Sequence, residues 1–106
     1  MAELDDEITN EIFLQELKQE FYDTAARNMQ EMEDLFQTRG WPRLAEIAHD
    51  IKGTAGLFGY EEGSRLADQV VIAARKRSRK KVRTALERLK KYLKKNKIIG
   101  DPKTDS

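Results

Sequence analysis

The 106-residue sequence contains no cysteine, which removes disulfides and thiolate metal sites. With a single histidine, His49, it also lacks the ligand set of a zinc centre. There is no G-x-x-x-x-G-K-[ST] phosphate loop, and one histidine with scattered carboxylates defines no Ser-His-Asp constellation. No run approaches the ~20 consecutive apolar residues of a membrane span. The opening "MAELDDEITN" is acidic and has neither the basic nor the apolar part of a signal peptide. A soluble cytoplasmic protein without membrane contact is expected. Proline occurs twice, at Pro42 and Pro102, and valine three times, so breakers and strand formers are both scarce. Leu, Ala, Glu, Lys and Arg dominate, which favours helix.

Apolar residues make up 39% of the chain, enough for one small core and no second domain. The first apolar pattern, Leu14, Leu17, Phe21, Thr24/Ala25, Asn28, Met32 and Leu35, advances in helical steps. Ile8, Ile12 and Phe13 extend it backwards as a short separate helix. Gly40 ends this element, and Trp41-Pro42 opens the next, with proline where its missing N–H does no harm. Leu44, Ile47, Ala48, Ile51, Ala55 and Phe58 form the second stripe, which Gly59 stops. A third helix runs from about Glu61 through Leu66, Ala67, Val70, Val71 and Ala74. Ser78 caps a fourth, whose stripe is Val82, Ala85/Leu86, Leu89 and Tyr92/Leu93. The fold class is therefore all-α: an antiparallel up-down four-helix bundle over residues 1–98, with 99–106 as a flexible C-terminal tail. Most aromatic residues fit helix packing, while Tyr22 and Phe13 fall at the edge of a docking surface.

Charge is segregated. Residues 1–34 hold eleven Asp/Glu and two Lys/Arg, whereas residues 75–97 hold thirteen Lys/Arg and one Glu. The basic segment is expected to be a solvated face or to pair with the acidic first helix. It could also steer an acidic partner. Nucleic-acid binding through the basic fourth helix is the alternative function.

The segment "AHDIKGTAGLFG", residues 48–59, carries His49 and three of the six glycines. On a helix, the core stripe of this segment lies roughly 160° to 260° from His49, whereas Ala45, Glu46, Lys52, Gly53 and Gly56 lie within about 60° of it. The histidine thus points away from the core. Glycine in a helix interior costs on the order of 1 kcal/mol relative to alanine, and no core packing repays that cost on an outer face. Clearance for an approaching partner does. Lys52, one turn from His49, is placed to pair with an anion held on the imidazole. A nucleophilic imidazole, a cationic neighbour and a cleared approach suit phosphoryl transfer between proteins.

These residues resemble the signature of the histidine phosphotransfer (Hpt) family, a helical His-x-x-Lys-Gly followed by a small residue, Ala-Gly and Phe-Gly. Here those are His49, Lys52, Gly53, Thr54, Ala55, Gly56, Phe58 and Gly59. The resemblance implies a phosphorelay carrier rather than an enzyme with ATPase or kinase activity. His49 would accept a phosphoryl group on Nε2 from a receiver aspartate or a sensor histidine kinase, and would pass it to the aspartate of a response-regulator receiver domain. Lys52 would stabilise the phosphoryl oxygens and Gly53 would keep the histidine accessible, with Ala45, Glu46, Asp50, Gly56 and Leu57 as docking residues. No cofactor is implied on this chain, and the Mg2+ of transfer would sit on the receiver. A monomer is expected. One position departs from the family's chemotaxis members: where they carry a glutamate that hydrogen-bonds the histidine, this chain has Val71, with Gln69 the nearest polar substitute. A phosphorylation-incompetent adaptor that binds receivers is the second alternative.

Overall fold

The computed structural model describes residues 2–100, with side chains from Asn10 onward. Four helices follow one another: α1 (Ala2–Thr38), α2 (Trp41–Leu57), α3 (Glu61–Arg75) and α4 (Arg79–Lys95). Each packs on its neighbours in sequence, and α4 returns to α1, while the diagonal pairs make no close backbone approach. This is the four-helix ring that the apolar stripes predict.

The turns are short because every helix closes in the same way. Past α2, Gly59 takes φ +83°, and the Tyr60 N–H donates to the Ala55 carbonyl at 2.8 Å, the six-to-one bond of a Schellman cap. The same bond runs from Gly40 to Leu35, from Ser78 to Ala73 and from Ile98 to Leu93. At those three ends the left-handed residue is Arg39, Arg77 or Lys97. A Cβ at Gly40 would lie 2.7 Å from Leu35 Cδ2, so the end of the half-buried Leu35 side chain would have to shift to admit one. Ser78 caps α4 by accepting from the Lys81 N–H. The first residue of α4, Arg79, is a cation at the positive end of a helix. Its guanidinium is held 4.4 Å from the Phe36 ring centre and bonds the Phe36 carbonyl.

Two expectations are corrected and a third is narrowed. The start of the chain is not a separate helix: α1 is continuous, as a stretch without glycine or proline from Ala2 to Thr38 permits. Its buried stripe is Phe21, Ala25, Met29, Met32 and Phe36. Leu14 is 44% and Phe13 58% exposed, because the other three helices do not extend alongside them. The bundle also reaches one residue further than expected, since Ile98 and Ile99 are both buried. The rest of the expected tail, residues 101–106, lies outside the described residues. Acid–base pairing between the two ends of the chain reduces to Lys90–Glu33 at 2.9 Å among the described residues.

The α2–α3 turn is sealed by aromatics. Phe21 lies 6.1 Å from Phe58 and 6.3 Å from Tyr60, centre to centre. The Tyr22 and Tyr60 hydroxyls are 2.5 Å apart, so Tyr22 joins this seal and not a docking edge. The bond to Tyr22, with partial burial, pushes the Tyr60 phenol from 10.0 up to about 12. A raised acid pKa means the neutral form is favoured on folding, so this contribution is intact below pH 10 and is lost as pH rises towards 12. Tyr22→Phe should move the Tyr60 titration back towards 10, read from phenolate absorbance.

Candidate functional site

The site is built on the outer face of α2. His49, Asp50, Gly53, Gly56 and Leu57 are exposed, and Ala45 and Lys52 are half-buried. Ala45, His49, Gly53 and Leu57 recur every fourth residue and so form one row along the helix. Among the four, only the histidine is polar. Leu57 is 60% exposed, which leaves an apolar end to the row. A Cβ built on Gly53 meets nothing within 4 Å, whereas one on Gly56 would touch Ser64 Oγ at 3.5 Å. Clearance therefore centres on Gly53, and Gly56 faces the edge of α3. Glu46 is held by Arg43, which also bridges to Glu31.

The tight turn sets α2 and α3 in a simple register about Tyr60. Gly56 and Ser64 stand four residues either side of it, and Lys52 and Asp68 stand eight. Ser64 Oγ donates to the Lys52 carbonyl at 2.9 Å, and Lys52 Nζ donates to Asp68 Oδ1 at 3.0 Å. Lys52 is thus tied to α3 through its backbone and through its side chain. Eleven residues either side stand His49 and Val71. Val71 is buried and apolar, and His49 has no hydrogen-bond partner among the described residues. Gln69 does not substitute: it lines the opposite side of α3, towards α4. Asp68, one residue earlier on the helix, is turned to α2, but it engages Lys52 and not the histidine.

Fifteen residues either side of Tyr60 stand Ala45 and Arg75. Here α2 and the end of α3 border a groove of about 390 Å³ lined by Trp41, Ala45, Glu46, His49, Arg75 and Arg77, among others. Both arginines are exposed. The sequence pattern did not single out Asp68, Ser64, Arg75 or Arg77, yet the register about Tyr60 places three of the four. Chemically, the arrangement offers an unencumbered nucleophile with cations on both sides of it: Lys52 a turn towards the C-terminus, and the arginine pair in the groove. The two sides differ: the Lys52 ammonium is already paired with Asp68, whereas Arg75 and Arg77 have no carboxylate within 4.0 Å among the described residues.

The family model for the Hpt domain matches residues 16–95. The chain belongs to the Hpt domain family. Comparison with curated proteins and with solved structures gives no match. Membership makes this a histidine phosphotransfer domain, a class of helical phosphocarriers and not of kinases. Among the described residues of this Hpt domain, no helix is long and apolar enough to cross a membrane.

Proposed function

We propose that His49 is the phosphoryl carrier of this chain, taking the group from a receiver aspartate or a sensor histidine kinase and handing it to a response-regulator receiver. The observation that carries this is the position of the chain's one histidine in a cleared, otherwise non-polar row within an Hpt-matching bundle. In the step, the lone pair of Nε2 attacks phosphorus in line with the acyl-phosphate oxygen. The N–P bond forms, the P–O bond breaks, and the donor aspartate leaves as carboxylate. The charge that appears on the ring is relieved when the Nδ1 proton passes to water. Onward transfer is the reverse, with the receiving carboxylate as nucleophile. Positioning and electrostatics supply the rate, and the Mg2+ is the receiver's.

Ala45, Glu46, Asp50, Gly56 and Leu57 would border the docked receiver, with the apolar Leu57 and the Ala45 edge giving contact area. Lys52 would exchange its bond to Asp68 for the phosphoryl oxygens. Asp68 then competes for that ammonium, so Asp68→Asn should shift the transfer equilibrium towards phospho-His49. The pair is partly exposed, and such pairs are worth about 0.2–1 kcal/mol, so the shift should be about threefold. Lys52→Ala should move it the other way. Both are read from the receiver-to-carrier distribution of label at equilibrium.

The deciding experiment presents the chain with a panel of prephosphorylated receivers and sensor kinases. Label that is acid-labile and base-stable supports phosphohistidine. Failure to label with any donor, by a folded chain, overturns the relay. If receivers bind without labelling it, the adaptor function takes its place.

A further inference from the structure

The first half of α1 has no bundle to lie on. The stripe that is buried from Phe21 to Phe36 continues towards the N-terminus at helical spacing as Leu17, Leu14 and Phe13. Leu17 is half-buried, and beyond it the stripe lies open: among the described residues of α1, Ile12, Phe13 and Leu14 are the exposed large apolar ones. Among the described side chains of α1 the first buried one is Phe21, about 28 Å along the helix from Ala2. The family match begins at residue 16, so these three residues lie outside it. The arm is also strongly acidic, with seven carboxylates and one lysine in residues 3–20. Glu11, Glu16 and Glu20 have no cationic partner within 4.0 Å among the described residues.

An occupant of this arm needs an apolar floor between basic walls. The chain itself carries such a surface. A groove of about 500 Å³ between α3 and α4 has Leu66, Ile72 and Ala73 in its lining together with Lys80, Lys81 and Arg88. Ile72 is 39% exposed. None of the basic residues there has a carboxylate within 4.0 Å among the described residues. The arm cannot reach its own groove, because α1 packs on α2 and α4 and makes no close approach to α3.

We infer that the first half of α1 is a docking arm for a second copy of this chain, its Phe13–Leu14 edge seated in the partner's α3–α4 groove and its carboxylates against the lysines there. Reciprocal exchange of two arms closes a two-fold dimer. Pairing arm to arm would instead set two acidic segments side by side, which their charge opposes. The α3–α4 groove shares no lining residue with the groove beside His49, so the dimer leaves both histidines open. This departs from the monomer expected from the sequence, and it does not depend on the phosphotransfer function.

Sedimentation equilibrium of the full chain over a range of concentration and salt tests it. A monomer–dimer equilibrium that weakens with salt is expected. Phe13→Ser with Leu14→Ser, or Lys80→Glu with Lys81→Glu, should each raise the dissociation constant by about tenfold or more, with helicity and melting temperature unchanged since all four positions are exposed. The decisive arm is a charge exchange. Glu11→Lys with Glu16→Lys, in one chain, should not self-associate, nor should the groove-reversed chain, but the two mixed should form a heterodimer. Monomer at every concentration overturns the inference, as does a dimer indifferent to the groove reversal. A monomeric chain that binds duplex oligonucleotide through Lys80 and Lys81 also overturns it and assigns the groove to nucleic acid.

Discussion

His49→Gln should abolish phosphoryl uptake, by at least about a thousandfold, while leaving fold and receiver binding intact. The chain has no second histidine to take over, and a glutamine amide is no nucleophile towards an acyl phosphate. His49 is exposed and has no hydrogen-bond partner among the described residues, so its replacement removes no buried contact. Surface changes of this kind usually stay within about 0.5 kcal/mol of stability, and glutamine is the better helix former of the two. Receiver affinity, measured by titration calorimetry or anisotropy, should therefore stay within a few-fold of wild type. That combination, binding kept and label lost, separates chemistry at this residue from docking by the surface around it. Label that persists in the variant would place the phosphoryl group elsewhere and sink His49 as the carrier.

Much of this was readable from residue order, and the parts that were not share a cause. Helix limits at Gly40, Gly59 and Ser78 were legible because each residue acts locally, through a backbone conformation or a cap. The outward direction of His49 was legible because periodicity alone sets it against Leu44, Ile51 and Ala55. What periodicity cannot supply is the length over which a stripe has something to pack on. Leu14 and Phe13 carry the same pattern as Phe21 and Met29, and only the lengths of the other helices decide that they are bare. Cross-helix partners were missed for a related reason. Asp68 looks like any polar residue beside an apolar stripe until the turn at Gly59–Tyr60 fixes the register, which puts it opposite Lys52. Gln69, adjacent in sequence, is rotated by about 100° and ends on the other side of α3. The charge segregation was read correctly as a pattern; of its two expected outcomes the solvated face predominates, with Lys90–Glu33 the one pair joining the two segments among the described residues, because the acidic excess sits on the part of α1 that runs beyond the basic helix.

Gly53→Ala and Gly53→Leu should stabilise the fold and impair its function, the second far more than the first. A Cβ at this position meets nothing within 4 Å, and the residue lies in the interior of α2 with a helical conformation. Replacing glycine there recovers about 0.5–1 kcal/mol of helix preference. For a domain of this size that is roughly 4 °C in melting temperature. The space that makes the substitution harmless to the bundle is the space a receiver would enter, one turn along the row from His49. A leucine would hold the incoming acyl phosphate away from the ring, and a displacement near 1 Å can cost about a hundredfold in rate. Alanine adds one methyl group and should slow transfer by only a few-fold. Gly56→Ala completes the series: its Cβ would rest against Ser64, at the edge of the docking face and off the row of His49, so it should slow transfer far less than Gly53→Leu. Rapid-quench transfer rates beside thermal melts test the series. A Gly53→Leu chain that melts higher and still transfers at the wild-type rate would show that receivers do not approach along this row, and the glycine would need another explanation.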